Sequence, residues 1–214
     1  MTTIAVYGVG RVGSVVAKIA LAAGYRVHVA GSGSAEDIAL LTEIMMPGAI
    51  PSAARDAAAD AEVVVLALPL GKYRTVDPAP LRGKIVVDAM NYWAPLDGVV
   101  DDFEATTSTT SEVVQAAFPQ SRVVKSLNHI GYHDMEEQGT PTGTPGRRAL
   151  AVASDDDDAA QVVAAMIDRL GFDACLAGGL ASGRAFQPGT AIFKGSFDRP
   201  QMQRELAAFL VPNG

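Results

Sequence analysis

The first residues whose types and spacing indicate a binding site are three glycines near the start of the chain. Gly8, Gly10 and Gly13 have the spacing G-x-G-x-x-G, and they follow the apolar run Ile4–Tyr7. Helical periodicity begins directly after them. A strand, a glycine turn and a helix in this order direct unpaired backbone N–H groups at an anion, typically a dinucleotide pyrophosphate. The residues of this candidate cofactor site are Gly8, Val9, Gly10, Arg11, Val12 and Gly13.

Each glycine of the motif has its own expected role. Gly8 permits the tight turn out of the strand, Gly10 lets the backbone approach phosphate, and Gly13 lets the helix pack closely on the strand. The motif alone could arise by chance in a chain with 21 glycines. Its position between a predicted strand and a predicted helix is what favours nucleotide binding.

The residues after the second predicted strand bear on which dinucleotide binds. An Asp or Glu there normally binds the ribose 2′-hydroxyl of NAD, but this chain has only glycine and serine at residues 31–34. The hydroxyls of Ser32 and Ser34 could bind a phosphate, which favours NADP(H), although two acidic residues follow closely and oppose that preference. Alternatively, Ser34 only caps the next helix, which is compatible with both cofactors. The candidate residues here are Ser32, Gly33 and Ser34.

Residues that end later strands are expected at the same edge of the sheet. The uninterrupted apolar run Val63–Leu68 is typical of a strand covered on both faces. In a doubly wound sheet the ligand lies along the carboxyl ends of the strands. The next strand leads to Asn91, whose amide can both donate to and accept from a nicotinamide carboxamide, or can simply form an Asx turn. The groove is therefore predicted to include Ala67, Leu68, Pro69 and Asn91.

Two histidines, His129 and His133, have the spacing of a zinc-binding pair on a helix. Gly131 between them opposes a helix, and no cysteine or further histidine is near, so we expect a mobile loop histidine and no metal site. The strand before them, Arg122–Leu127, ends in Asn128, a second amide at the carboxyl edge. No arrangement of acids, bases or nucleophiles in the sequence indicates a catalytic residue.

Strands and helices alternate along most of the chain, and these are the elements that must position the candidate residues. The predicted class is α/β, with a Rossmann-like, doubly wound and mainly parallel sheet and a short C-terminal helical extension. Residues 1–178 form the expected dinucleotide-binding domain. Residues 179–214 are too short for a second domain, and we expect them to complete the substrate site or a subunit interface, which predicts a homodimer.

Composition limits the possible partners. The chain has 214 residues, 49% of them hydrophobic, which is enough for a full core. Its net charge of −7, without any basic block, argues against nucleic acid and anionic membranes as partners. No apolar run is long enough to cross a membrane and no signal-like segment is present, so we expect a cytoplasmic protein. The single cysteine, Cys175, is predicted to be a buried strand residue.

Together these motifs resemble the NADP oxidoreductases that use the deazaflavin coenzyme F420, a family related to the cytosolic reductase domains of membrane ferric reductases. The resemblance runs nearly from end to end. It is carried by the glycine turn and by the segments Leu66–Pro69, Asp88–Asn91, Val123–Asn128, Ser154–Asp158 and Ala177–Arg184.

The resemblance implies hydride transfer between NADP(H) and either coenzyme F420 or a flavin such as FMN. Such a transfer needs alignment of two rings and exclusion of water more than a dedicated acid or base. Arg184 and Thr190 match an arginine and a threonine near the family's C-terminus. The residues expected to bind the second substrate are Asn128, His129, Arg184 and Thr190.

Two positions depart from the family pattern. The family has serine followed by arginine after the second strand, whereas Gly33 follows Ser32 here, which removes a guanidinium that would bind the 2′-phosphate. Arg11 in the glycine turn is a candidate to replace part of this contact with the 2′-phosphate. The family also has a histidine at the edge of the sixth strand, where this chain has Asn128.

Two other functions are compatible with the motif. One is a dehydrogenase or imine reductase of a small organic substrate, like the β-hydroxyacid dehydrogenases, but those need a long helical second domain, and residues 179–214 contain no long helical run. The other is a non-enzymatic NADP(H)-binding sensor, for which the sequence offers no interaction motif.

Overall fold

One sheet runs through the molecule and defines its fold. The computed structural model describes residues 2–94, 98–104 and 107–210. Within these ranges eight strands lie in the order β3-β2-β1-β4-β5-β6-β7-β8. The strands are β1 Thr3–Tyr7, β2 Arg26–Ala30, β3 Ile50–Pro51, β4 Val63–Leu66, β5 Ile85–Asp88, β6 Arg122–Lys125, β7 Ala149–Ala153 and β8 Asp173–Gly178. Neighbouring strands are parallel except β6 and β7.

Helices cover both faces of this sheet. The α-helices of the described residues are α1 Arg11–Ala22, α2 Ala35–Met45, α3 Ala54–Asp60, α4 Asp101–Glu104, α5 Thr110–Ala117, α6 Tyr132–Glu137, α7 Asp157–Arg169, α8 Ala191–Lys194 and α9 Arg199–Leu210. Short 3₁₀ helices cover Leu70–Thr75, Ala79–Leu81 and Leu180–Phe186. The predicted class is confirmed: the protein is a Rossmann-like α/β fold with a mostly parallel sheet and a C-terminal helix.

Strand β1, inside the sheet, shows why the fold is doubly wound. Successive side chains of a strand point to opposite faces. In β1, Ile4 and Val6 pack into a core shared with α1 and α7, whereas Ala5 and Tyr7 pack into a second core shared with α3 and α5. Burial on both faces also explains why β4 has four consecutive buried apolar residues.

The C-terminal residues pack on a third core. Ala151 of β7 and Cys175 of β8 contact side chains from the last 3₁₀ helix, α8 and α9, among them Phe186 and Met202. Cys175 is buried, as the sequence predicts. Burial raises the pKa of its thiol to about 11, so the side chain behaves as a small apolar residue.

Local side-chain hydrogen bonds fix the starts of helices. Thr109 forms a capping box with Glu112 at the start of α5. At the start of α7 the carboxylate of Asp156, rather than the hydroxyl of Ser154, accepts the Ala159 N–H, at 2.8 Å. The Ser154 hydroxyl lies in the turn before the helix, where it donates to the carbonyl of Val123 at 2.7 Å and accepts the Asp156 N–H at 3.2 Å.

The antiparallel contact between β6 and β7 is short. The two strands are in register only at Lys125 and Ala153. Side chains add further links beside this pair: the Ser126 hydroxyl donates to the Ala151 carbonyl at 2.7 Å, and Ser154 reaches β6 as described above. The joint between β6 and β7 therefore consists largely of side-chain hydrogen bonds and packing.

A buried ion pair ties β5 to β6. Lys125 Nζ lies 3.3 Å from Asp88 Oδ2, and neither side chain is accessible to solvent. The hydroxyl of Ser111 on α5 donates to the same carboxylate oxygen at 2.6 Å, and the N–H of Met90 donates to the other at 3.0 Å. Lys125 also donates to the Met90 carbonyl. The pair thereby holds the segment that leads from β5 to Asn91.

We expect the substitution Asp88→Asn to destabilise the protein strongly, because it leaves the buried ammonium of Lys125 without a counter-charge. The loss in the free energy of unfolding should be about 3–5 kcal/mol, measured by urea denaturation. Glu136→Gln is the control, since it breaks the partly exposed pair that Glu136 forms with Lys18 at 2.9 Å and should cost at most about 1 kcal/mol. Equal losses in the two variants would contradict the prediction.

Candidate functional site

The glycine turn brings three backbone segments into close contact. Gly8 has a φ of +114°, and a Cβ atom placed on it would lie 2.2 Å from the carbonyl oxygen of Ala67 after β4. A Cβ on Gly13 would lie 1.9 Å from the carbonyl oxygen of Gly8. Neither position accepts a side chain, so the close approach of β1, α1 and the end of β4 requires glycine at both.

Gly10 has the opposite environment. It is the N-cap of α1, and no heavy atom of the described residues lies within 4 Å of a Cβ placed on it. The carbonyl of Gly10 accepts the first backbone hydrogen bond of α1, from the N–H of Ser14 at 2.9 Å. The N–H groups of residues 11–13 therefore have no acceptor within the helix. The first turn of α1 contains no acidic residue. The turn thus presents backbone donors and the positive end of a helix dipole to open space.

A cavity of about 660 Å³ opens in front of this turn. Its size is within the usual range for cofactor sites. The predicted cofactor residues that line it are Gly8, Val9, Gly10, Ser32, Gly33, Ala67, Leu68 and Pro69. The structure therefore brings the β1–α1 turn, the end of β2 and the end of β4 together around one space.

Tyr7, which the sequence does not single out, also lines this cavity. Its hydroxyl donates to the carbonyl of Ala54 at the start of α3. Burial, with a smaller contribution from Asp77, raises the pKa of Tyr7 to about 12, so the hydroxyl stays protonated and keeps this hydrogen bond. Arg55 and Lys72 line the cavity as well. The sequence does not indicate that these two residues belong to the site, because neither is part of a motif.

Several predicted cofactor residues lie outside the lining of this cavity. Arg11 contacts α6: its Nη1 donates to the Tyr132 hydroxyl at 3.3 Å, and its guanidinium lies 5.7 Å from the centroid of that ring. Val12 and Gly13 belong to the first turn of α1. Ser34 is the N-cap of α2, in a capping box in which its N–H donates to Asp37 Oδ2 at 2.8 Å.

The two predicted amides, Asn91 and Asn128, lie in direct contact. Asn128 Nδ2 donates to Asn91 Oδ1 at 3.0 Å, and Asn91 Nδ2 donates to the Asn128 carbonyl at 2.7 Å. Asn128 Nδ2 also donates to the carbonyl of Phe186 at 2.8 Å. Leu127, directly before this amide, has a φ of 63°, in the left-handed region that non-glycine residues rarely adopt. The end of β6 is thus held in an unusual conformation that brings the amides together.

His129 orients this amide pair from a buried position. Its Nε2 accepts the Ala151 N–H at 2.9 Å, which assigns the proton to Nδ1, and Nδ1 donates to Asn128 Oδ1 at 3.2 Å. Burial, then the charges of Arg148 and Lys125, lowers the pKa of His129 to about 3, so the ring is neutral. The expectation of a mobile loop histidine is wrong for His129, because packing against β7 and Phe186 fixes the ring.

His133 lies apart from His129, on α6, with its ring centroid 4.2 Å from that of Tyr132. Among the described residues, histidine, cysteine and carboxylate side chains form no group of three that could hold a metal ion. In the same part of the chain, no helix combines the length and the apolar character needed to cross a membrane.

A second, smaller cavity of about 200 Å³ lies beside Asn91. Two aromatic rings line it, those of Tyr92 and Phe103, with centroids 5.2 Å apart. The side chains of Thr110 and Gln187 also line it, and Gln187 Nε2 donates to Thr110 Oγ1 at 3.0 Å. Sequence reasoning missed Phe103, Thr110 and Gln187, because only the tertiary fold places the start of α5 next to the residues that follow the last 3₁₀ helix.

The predicted substrate residues Arg184 and Thr190 flank Gln187 and hold its segment in place. Arg184 Nη2 donates to the Thr107 carbonyl at 2.7 Å. Thr190 is the N-cap of α8, where its hydroxyl accepts the Phe193 N–H at 3.2 Å and donates to the Gln187 carbonyl at 2.9 Å. Neither lines the second cavity.

Comparison with known proteins finds a family match in the N-terminal part of the chain. Residues 3–92 match a family described as NADP oxidoreductase, coenzyme F420-dependent. This match confirms the resemblance found in the sequence, and it covers β1 to β5 with the glycine turn. A comparison with curated proteins gave no significant match.

Similar solved structures extend the likeness over most of the chain. A hypothetical protein from Sinorhizobium meliloti has 28% identity and a TM-score of 0.77, over 93% of this chain and 96% of that one. A proposed F420-dependent NADP reductase from Arthrobacter sp. FB24 has 26% identity and a TM-score of 0.73, over 86% of this chain and 88% of that one. A 3-hydroxyisobutyrate dehydrogenase from Mycobacterium tuberculosis, at 19% identity and a TM-score of 0.61 over 86% of this chain and 57% of that one, shares the fold.

We expect Gly10→Val to weaken NADPH binding by more than about tenfold while the protein stays folded, since the new side chain meets no protein atom but occupies the space in front of the free N–H groups. Titration calorimetry and thermal melting measure the two effects. Gly13→Ala provides the contrast, because its Cβ would meet the Gly8 carbonyl and should destabilise the fold. Unchanged NADPH affinity in Gly10→Val would exclude this turn as the pyrophosphate site.

The buried neutral His129 predicts a pH-dependent stability. Its pKa is about 3 in the folded state and 6.5 in the unfolded chain, so its contribution is fully present above the unfolded value. It decreases as pH falls from that value toward the folded one, by about 1.4 kcal/mol per pH unit. The difference in free energy of unfolding between wild type and His129→Gln should therefore shrink on acidification, as measured by urea denaturation at neutral pH and at about pH 4.5. Parallel pH profiles of the two proteins would contradict the neutral, buried ring.

Proposed function

We propose that this chain is an NADP(H)-dependent oxidoreductase that transfers a hydride between nicotinamide and coenzyme F420 or a flavin. The family match at residues 3–92 and the Arthrobacter relative support this assignment. The observation that carries it is the pair of cavities at the carboxyl edge of the parallel strands β1 to β6, a large one at the glycine turn and a smaller one beside Asn91.

The residues of the larger cavity fit a dinucleotide. Backbone N–H groups at Gly10 can bind the pyrophosphate. Leu68, Pro69 and Val76 provide apolar walls for flat rings, and Ser32 supplies a hydroxyl where the ribose of a Rossmann cofactor lies. A cavity with apolar walls and a few convergent polar groups is the usual form of such a site.

NADPH, when bound, supplies the hydride from its nicotinamide ring. The contribution of the protein is then to align two rings and exclude water. The contact between Asn91 and Asn128 fixes the edge of the sheet between β5 and β6, and His129 sets the orientation of the Asn128 amide.

The C-terminal segment has a role in this proposal. Gln187 and Pro188 line the second cavity together with Tyr92 and Phe103. We infer that residues 179–214 complete the side of the site that receives the second substrate. The homodimer expected from the sequence stays a prediction.

The test of this function is turnover of NADPH with coenzyme F420, FMN, FAD or riboflavin, followed by the loss of nicotinamide absorbance. We expect oxidation of NADPH with at least one of them. Binding of NADPH without turnover with any of these acceptors would overturn the proposal, and oxidation only with a small imine or keto acid would favour the dehydrogenase alternative.

A substitution that fills the second cavity distinguishes binding of the hydride acceptor from binding of NADPH. Thr110→Phe adds a ring to this space of about 200 Å³, so it should lower the rate with the acceptor by at least about tenfold and leave the Kd for NADPH within about twofold. Thr142→Phe is the control, since Thr142 is exposed and lines neither of the two cavities. Equal activity of the two variants would place the acceptor elsewhere.

A further inference from the structure

Two basic side chains line the larger cavity without a partner of their own. Arg55, on the first turn of α3, and Lys72, on the 3₁₀ helix after β4, both line it. Within the described residues, neither side chain makes a hydrogen bond or an ion pair. By contrast, Arg74 is paired with Asp102 at 2.8 Å, in a chain with a net charge of −7. Cations left unpaired in a cavity are suited to an anionic ligand.

The start of α3 is anchored beside the end of β2. The N–H of Ser52 donates to the Val29 carbonyl at 2.9 Å, and the Ser52 hydroxyl lies 2.8 Å from His28 Nδ1. The Tyr7 hydroxyl donates to the carbonyl of Ala54, the residue before Arg55. These bonds hold the backbone of Arg55 close to the cavity end where β2 delivers Ser32.

The loop after β2 supplies hydroxyl groups but no cation. Ser32 and Gly33 line the cavity. A Cβ on Gly33 would lie 2.4 Å from Asp37 Oδ2, so an arginine at this position would disturb the capping box of α2. Asp37 itself is committed to that cap, because its Oδ2 accepts from the N–H of Ser34 at 2.8 Å and from its hydroxyl at 3.0 Å. A phosphate on the ribose at the end of β2 therefore needs its positive charge from another element.

We propose that Arg55, assisted by Lys72, binds the 2′-phosphate of NADP(H), so that α3 provides the guanidinium that the related family carries directly after its second strand. A guanidinium can donate two parallel hydrogen bonds to a phosphate, whereas an ammonium acts as a point charge, so Arg55 has the larger role. The acidic residue in the cavity lining, Asp77, accepts the Ala79 N–H at 2.9 Å in its own turn. This inference rests on the proposed function, since it requires an NADP cofactor.

The experiment compares NADPH with NADH, and 2′,5′-ADP with ADP, by titration calorimetry on the intact protein. Arg55→Gln should weaken binding of NADPH and 2′,5′-ADP by about ten- to a hundredfold and leave NADH and ADP within about twofold. Lys72→Gln should act in the same direction with a smaller effect. The matched control is Arg82→Gln, which changes an exposed arginine outside the cavity and should leave all four affinities unchanged.

Different outcomes separate this inference from the proposed function. A wild-type protein that binds none of the four nucleotides overturns both. A wild-type protein that prefers NADPH, together with an unchanged ratio of NADPH to NADH affinity in Arg55→Gln, overturns only the role of Arg55. A wild-type preference for NADH also overturns it. Thermal melting of each variant excludes unfolding as the cause of a lost affinity.

Discussion

The structure depends on the close backbone contact between the β1–α1 turn and the end of β4. At Gly8 and Gly13 a single added methyl group would overlap a carbonyl oxygen. This contact places the N-terminus of α1 at the carboxyl edge of the sheet, where Gly8, Val9 and Gly10 line the larger cavity and the first N–H groups of α1 have no acceptor within the helix. It lies where β1 and β4, which are neighbours inside the sheet, both end. The same piece of backbone thus provides both the packing contact and the N–H groups that have no acceptor within the helix.

A second set of interactions defines the edge between β5 and β6. The buried pair of Asp88 and Lys125 ties the two strands together just below the edge. Above it, Asn91 and Asn128 exchange hydrogen bonds, and His129 fixes the second amide from behind. A charged network in the interior is costly unless every group has a partner. Here the partners come from β5, β6 and α5, so the network specifies how these elements meet beside the second cavity.

The sequence was sufficient for the parts of the fold that depend on local pattern. The glycine turn and the apolar run of β4 each depend on a few consecutive residues. The positions of side chains in the tertiary structure were harder to predict. Arg55 sits in an ordinary short helix, and its place at the cavity follows only from the pairing of β3 with β2.

His129 shows the same limit for the candidate site. The glycine after Ile130 suggested an exposed loop, and only the return of β7 beside this segment buries the ring. Gln187 is comparable, because it reaches the second cavity through the packing of the C-terminal segment. Both positions depend on contacts between residues far apart in sequence, which no local pattern encodes.

The short joint between β6 and β7 has a consequence for the dynamics of the molecule. Strands β1 to β6 are held together by continuous backbone ladders, whereas β7 and β8 are joined to them by one residue pair in register and by side-chain hydrogen bonds. Subglobal opening follows the boundaries where few backbone bonds cross. We therefore expect the sheet to divide at this joint into two cooperative units, with the glycine turn in one and β8, which leads into the segment bearing Gln187, in the other. In that case the amide hydrogens of β7 and β8 exchange separately from those of β1 to β6, and the last two strands open while the glycine turn stays formed.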